Sequence, residues 1–310
     1  MKIAVMGSGG VGGYYGGMLA QGGHEVTFIA RGAHLEALRK TGLEVKSVHG
    51  DFTLPSVKAT DRPAEVGPVE LIIVCVKTLA TERAAEAMRP MVGQSTSVMS
   101  FQNGIDAAER IAAVVGMEHM VGAATWLSSA IEAPGVIRQV SQFRRIVLGE
   151  LDGRITPRTE GLAEALQNTG ATVEISDNIL KVLWTKFVFI SAISGVGSLT
   201  RLPMGDYRSV NETRALLITL MAEVKAISHA SGVELDPDVI DGVLNLVDHA
   251  GPEIKPSMQR DVEAGRCSEL DSMVGIVGRK GRELDVPTPA ADVVYAALLP
   301  GELKAREQDR

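Results

Sequence analysis

Lys2-Ile3-Ala4-Val5-Met6-Gly7-Ser8-Gly9-Gly10-Val11-Gly12-Gly13 opens the chain with a short apolar run that passes directly into glycines. Lys2–Met6 reads as a buried strand, Val11–Ala20 as a helix and Glu25–Ala30 as a second strand, a βαβ unit within the first 31 residues. Gly7, Gly9 and Gly12 fit GxGxxG, and each has a physical task. Gly7 permits the tight turn, Gly9 lets backbone N–H groups approach a pyrophosphate, and Gly12 lets helix and strand pack closely at the positive end of the helix dipole. The spacing alone is weak, since a glycine-rich turn needs no ligand. Its place between a strand and a helix makes the whole turn, Gly7-Ser8-Gly9-Gly10-Val11-Gly12, a dinucleotide-binding candidate.

Outward from that turn, Arg31 stands at the end of the second strand, where NAD-binding chains usually carry an acid for the ribose 2′-hydroxyl. A guanidinium there can bind a 2′-phosphate through its planar fork, which favours NADPH over NADH and FAD, or it is a solvated loop charge. Further strands are read at Val69–Val76, Ser95–Ser100, Met120–Trp126, Arg145–Leu148 and Thr172–Ile175, with helices between several of them. The alternation predicts an α/β domain with a mostly parallel sheet. Lys77 and Asn103-Gly104 follow two of these strands, at the carboxyl ends where open α/β sheets bind ligands, although a strand-terminal charge and a plain turn read equally well. Thr156 can cap the helix before the last strand, Pro157 suits its first turn and Gly170 can end it.

Beyond Ser176 the strand patterns stop. Asn178–Ser198, Asn211–Ser231, Pro237–Asp248 and Ser268–Arg282 read as helices, with Ser176, Asp177 or Asn178 available to cap the first. The expected division is a dinucleotide-binding domain over 1–176 and an all-helical domain over 177–310, its charged tail Gly301–Arg310 a fraying helix end. Such a helical domain can present an apolar face to a second copy, which leaves a homodimer open. The 310 residues carry a formal net charge of -7 with scattered Lys and Arg, which argues against a nucleic-acid surface. Two cysteines, Cys75 and Cys267, form no disulfide framework, and the six histidines show no metal-ligand spacing. The runs Leu71–Val76 and Phe187–Ile193 fall short of the roughly 20 residues a membrane span needs, and the N-terminus lacks a signal-peptide pattern. A cytoplasmic enzyme with no metal, no membrane and no nucleic acid is the expectation.

In the first helix of the second domain, Ile179, Val182, Leu183, Ile190 and Ile193 form an apolar stripe, and Lys186 falls within it. Burying an ammonium lowers its pKa toward that of a useful proton donor, whereas a lysine at the domain edge can instead snorkel to water. Glu269 lies at the start of the helix from Ser268, where Ser268 and Asp271 resemble a capping box, so structure alone can explain it. Ser257 can cap the segment after it.

Taken together in order, GxGxxG, Ala30-Arg31-Gly32, Val76-Lys77, Gln102-Asn103-Gly104, Trp184-Thr185-Lys186 and Glu269 resemble the ketopantoate reductase family over nearly the whole chain, Lys2 to about Tyr295. The resemblance implies a Rossmann-type domain plus a helical domain, NADPH as cofactor, and reduction of a 2-oxo acid to a 2-hydroxy acid, most simply 2-dehydropantoate (ketopantoate) to pantoate in pantothenate biosynthesis. It implies Lys186 as general acid, Glu269 as ligand to a substrate hydroxyl and organiser of the site, and Asn103 in touch with cofactor and substrate. Ser257 would lie near the substrate carboxylate, with Lys77 and Arg31 on the cofactor. Two positions depart from the family: Ile190 and Ser194 stand where it has asparagines. Ser194 stays in the substrate-binding set, but a lost polar contact can change discrimination by orders of magnitude, so a more apolar 2-oxo acid is the rival substrate. A non-catalytic NADPH sensor would keep the glycine turn and lose Lys186 and Glu269. A 3-hydroxy-acid or opine-type dehydrogenase would more naturally use a histidine and acid pair, and the helical domain offers only His229 and His249 with no suggestive partner in sequence.

Overall fold

The structure, a computed structural model, describes residues 1–308 and divides into two compact units. One comprises Met1–Gln102 and Asp106–Ile179; the other comprises Asn103–Ile105 and the residues from Leu180 onward.

The first unit is built on twelve strands: β1 (Lys2–Met6), β2 (Glu25–Ile29), β3 (Leu43–Ser47), β4 (Phe52–Leu54), β5 (Lys58–Thr60), β6 (Val69–Val74), β7 (Val92–Ser100), β8 (Met120–Trp126), β9 (Ser129–Ala133), β10 (Val136–Gln139), β11 (Arg145–Gly149) and β12 (Thr172–Ile175). Eight of them form one sheet in the order β12-β11-β8-β7-β6-β1-β2-β5. Every pairing is parallel except β8 with β11. Successive residues of a strand face opposite sides, and both sides are covered, which is why the central strands are almost continuously apolar. Ile3 and Val5 point into one core with Phe28, Leu71 and Ile73. Ala4 and Met6 point into the other with Ile72, Val74 and the helix α3 (Thr81–Met88).

Between β1 and β2 runs α1 (Gly10–Gln21), followed after β2 by α2 (Gly32–Thr41). The remaining strands of this unit form a second sheet, β4-β3-β10-β9, which the sequence reading did not anticipate. This sheet accounts for part of the glycine run in α1. A methyl group on Gly12 or Gly16 would strike Val5 or Phe28 of the main sheet, and one on Gly13 or Gly17 would meet Ile137 or Leu43 of the second. Helix α1 therefore lies between two sheets, and glycine on both its faces is what lets them approach.

Helix α4 (Ala107–Val115) follows β7, and α5 (Pro157–Gln167) precedes β12. The expected cap of α5 is present: Thr156 Oγ1 accepts from Thr159 N–H while Thr159 Oγ1 accepts from Thr156 N–H. Asn168 ends this helix, and Gly170 takes the left-handed turn beyond it at φ +72°.

The second unit is helical: α6 (Ile179–Thr200), α7 (Met204–Arg208), α8 (Asn211–Ala230), α9 (Val239–His249), α10 (Ser257–Glu263), a π turn over Asp271–Gly275 continuing into α11 (Ile276–Leu284), and α12 (Pro289–Gln308). Helix α6 is long and apolar enough, by length and composition, to cross a membrane, unlike the shorter runs read from sequence, but most of it is buried inside the protein. It serves as the core helix of the unit, with Trp184, Phe187, Val188, Ile193 and Val196 packed against Leu220, Met221 and Met273. Helix α12 was not expected beyond its last turn; Gly275, Gly278 and Gly281 give it room by facing Tyr295, Asp292 and Thr288. Gly301–Gln308 continue α12, while Asp309 and Arg310 of the expected fraying tail lie outside the described residues.

Candidate cofactor and catalytic sites

At the carboxyl end of β1 the chain turns through Gly7 at φ +99°, and a side chain there would overlap Cys75 and Val76. Ser8 is fixed by its N–H and hydroxyl, both donated to the Ile29 carbonyl. Gly9 starts α1 with no side chain capping it, and a methyl group placed on it would meet nothing within 4 Å. The start of a helix, where its dipole is positive, thus has room beside Gly9, an arrangement that suits an anion. Gly7, Ser8 and Gly9 line a concavity of roughly 230 Å³ together with Met6, Ile29, Ala30, Arg31, His34, Pro63, Val76, Arg83 and alanines of α3. Gly10, Val11 and Gly12 continue the turn into α1, where Gly10 packs on Ser129 and Ala130 of β9.

Arg31 and Arg83 are both exposed and form no ion pair among the described residues, so two guanidinium groups in one concavity are available to a ligand. Arg83, on α3, was missed from sequence, as was His34. The His34 ring accepts a hydrogen bond at Nδ1 from Gly135 N–H, and burial holds its imidazole below the usual value, only partly opposed by the Ser8 backbone. It is a neutral clamp between the glycine turn and the second sheet. Lys77 lies exposed beyond β6 and outside the lining of the concavity. Gln102, which precedes Asn103, is buried and donates from Nε2 to the Val76 carbonyl and Thr81 hydroxyl, locking the ends of β6 and β7 together. Asn103, next in the chain, is partly buried and clusters with the helical unit.

In that unit Lys186 is partly buried on α6, on the less enclosed side; Trp184 and Phe187, which pack edge to face at 6.1 Å, are the deeply buried neighbours in sequence. Of the expected apolar stripe, Ile179 and Ile193 are buried while Val182, Leu183 and Ile190 are half-buried like Lys186, because α6 is apolar nearly all round. Burial brings the Lys186 ammonium down to about 8, and the Glu269 carboxylate opposes that fall. Lys186 and Glu269 are therefore within each other's electrostatic reach. Ile190 is partly buried one turn beyond the lysine, and Ser194 is buried one turn further.

Three expectations fail here. Ser268 and Asp271 form no capping box: Ser268 donates its hydroxyl to Glu302, and the Asp271 carboxylate accepts from Tyr295 and Arg306. The π turn leaves no regular first turn for such a box to close. Ser257 is the exposed first residue of α10, and Pro256 holds the cap position, so Ser257 does not cap its helix. His229 does have an acid partner, Glu234 at 2.6 Å, but both side chains are largely exposed at the end of α8.

Comparison with known proteins matches the family description "Ketopantoate reductase PanE/ApbA" over residues 3–153 and its C-terminal counterpart over 178–302. An uncharacterized oxidoreductase, YkpB, from Bacillus subtilis (strain 168) is 32% identical, covering 96% of this chain and 98% of its own. A 2-dehydropantoate 2-reductase from Mesorhizobium japonicum is 31% identical, covering 96% and 97%. The crystal structure of a PanE/ApbA-family ketopantoate reductase from Ralstonia eutropha JMP134 superposes with a TM-score of 0.91 at 32% identity, covering 99% of this chain and all of that one. With both family regions matched in order across most of its length, the chain belongs to the ketopantoate reductase family of oxidoreductases.

Proposed function

We propose that the protein reduces a 2-oxo acid to the 2-hydroxy acid with NADPH, with ketopantoate the first candidate and pantothenate biosynthesis the context. The observation that carries this reading is Lys186, a lysine brought to about 8 by burial, beside the carboxylate of Glu269. A proton donor works best when its pKa lies near the operating pH. Lys186 Nζ donates to the substrate carbonyl oxygen as negative charge develops there, and its positive charge stabilises that oxygen beforehand. Glu269 accepts from a substrate hydroxyl and holds the lysine charged. Asn103, Ser194 and Ser257 complete the substrate set.

The glycine turn would hold the cofactor's pyrophosphate at the N-terminus of α1, and Arg31, assisted by Arg83, would hold a 2′-phosphate. Lys77 and Asn103 are further cofactor contacts in this reading. When bound, the nicotinamide supplies the hydride. Cys75 and Cys267, which form no disulfide, suit a reducing, cytoplasmic setting.

A second substrate reading has its own support: Ile190 is apolar, partly buried and one turn from Lys186, which suits a 2-oxo acid with a more apolar side chain. Oxidation of NADPH and NADH with a panel of 2-oxo acids that includes ketopantoate tests both. Turnover of ketopantoate above the apolar acids, with NADPH preferred, is expected. Tight NADPH binding without turnover of any 2-oxo acid would replace the reductase by a sensor.

A further inference from the structure

Glu302 is an acid with its carboxylate almost wholly buried, in the C-terminal helix α12. Its Oε2 accepts from the backbone N–H of Ser268 at 3.0 Å and from the Ser268 hydroxyl at 2.5 Å, one residue before Glu269. Its Oε1 accepts from Arg306 Nε at 2.9 Å, one turn further along the same helix. The other end of that guanidinium reaches Asp271 Oδ2 at 2.6 Å, two residues after Glu269, while Asp271 Oδ1 accepts from Tyr295 Oη at 2.7 Å. Both residues that bracket Glu269 are therefore gripped by α12, and Arg306 joins the two grips into one network. On the far side, Ser191 of α6 donates to the Met273 carbonyl at 2.7 Å inside the π turn, tying the helix of Lys186 to the same segment.

A stop for a loop needs one hydrogen bond; two charge-assisted grips either side of a single residue restrict its position in two directions. We infer that Glu302 and Arg306 are positioning residues for Glu269, holding its carboxylate in register with Lys186 through Ser268 and Asp271. The inference rests on the reading of Glu269 given above and adds to it the element that places the acid. In this reading both act through Ser268 and Asp271 and not on the substrate itself.

Arg306 is the better probe, because it is partly exposed and its removal leaves Glu302 still bonded to Ser268. In the full-length enzyme, Arg306→Gln is expected to raise KM for the 2-oxo acid about ten- to a hundredfold while KM for NADPH stays unchanged, since a displaced group costs binding and alignment together. Arg306→Lys, which keeps a cation between the two carboxylates, should recover most of that loss. A second readout separates placement from folding. Glu269 holds the Lys186 ammonium up, so a displaced Glu269 is expected to shift the alkaline limb of the pH profile to lower pH in Arg306→Gln, and its removal to do the same in Glu269→Gln. Ser268→Ala, which removes the hydroxyl and keeps the backbone N–H, is expected to show the same shift at smaller size. If Glu269→Gln raises KM and moves the pH limb but Arg306→Gln and Ser268→Ala lose only melting temperature, the positioning role is overturned and the acid's role stands. If Glu269→Gln itself changes neither, the reading of Glu269 falls and the inference with it.

Discussion

Lys186 carries a cost and a use on one nitrogen. Below about pH 8 its ammonium is charged in both the folded and unfolded chain, and the folded state bears the cost of burial less what the Glu269 carboxylate offsets. Between about 8 and the ordinary value of 10.5 the folded protein sheds the proton first, so this contribution to stability improves as pH rises through that window. Activity runs the other way, because the acid is the protonated form: the rate of reduction is expected to fall as pH rises through about 8 in a steady-state profile. Replacing Lys186 by Met should lower kcat/KM by about 10²–10⁴ and raise the melting midpoint by a few degrees in a thermal scan. A variant that loses stability would show that the ammonium is better satisfied than its burial implies. Arg31 could be nominated from sequence because the end of β2 is where such folds meet the ribose, and it does line the concavity. Arg83 could not, since only the packing of α3 against the sheet turns it toward the glycine turn. Arg83→Ala is expected to raise KM for NADPH about tenfold and leave that for NADH unchanged, roughly the loss of one charge-assisted hydrogen bond.

Helix α1 separates two roles of glycine that look alike in sequence. Gly9→Ala meets open space, so urea unfolding should move little, while binding of NADPH in titration should weaken because the methyl group occupies the approach to the backbone. Gly12→Ala would place a carbon 2.1 Å from the Gly7 carbonyl oxygen, and is expected to cost about 1–3 kcal/mol or more of stability. The eight-stranded sheet was largely readable, as were the longer helices, because buried parallel strands leave continuous apolar runs and core helices leave long periodic ones. The second sheet left neither signal: β4 is three residues long, and β9 is exposed along most of its length. Helix α12 was hidden by Pro300-Gly301 in its interior, a pair that ordinarily ends a helix. The candidate site followed the same division. Side chains carried on regular elements could be named from sequence, whereas the grips on Ser268 and Asp271 come from residues more than twenty positions away.

For the whole molecule, the formal net charge is -7, yet two arginines share one concavity, so an anionic cofactor meets local positive charge there. Saturation at about a hundred times Kd should add about 2.7 kcal/mol to stability, with NADPH reaching that level at far lower concentration than NADH in a thermal-shift titration. Equal effects of the two cofactors would remove the case for a 2′-phosphate site. The glycine helix has one further consequence, in the order of events during synthesis. The turn at residues 7–12 is made well before the strands that cover it, since one face of α1 rests on strands that include β10, which ends at Gln139. Chain elongation at about 5–20 residues per second leaves a half-covered, glycine-rich helix waiting for several seconds, with little propensity of its own to stay folded. A motif that is complete within a dozen residues is thus held in its folded place only after more than a hundred others have followed it.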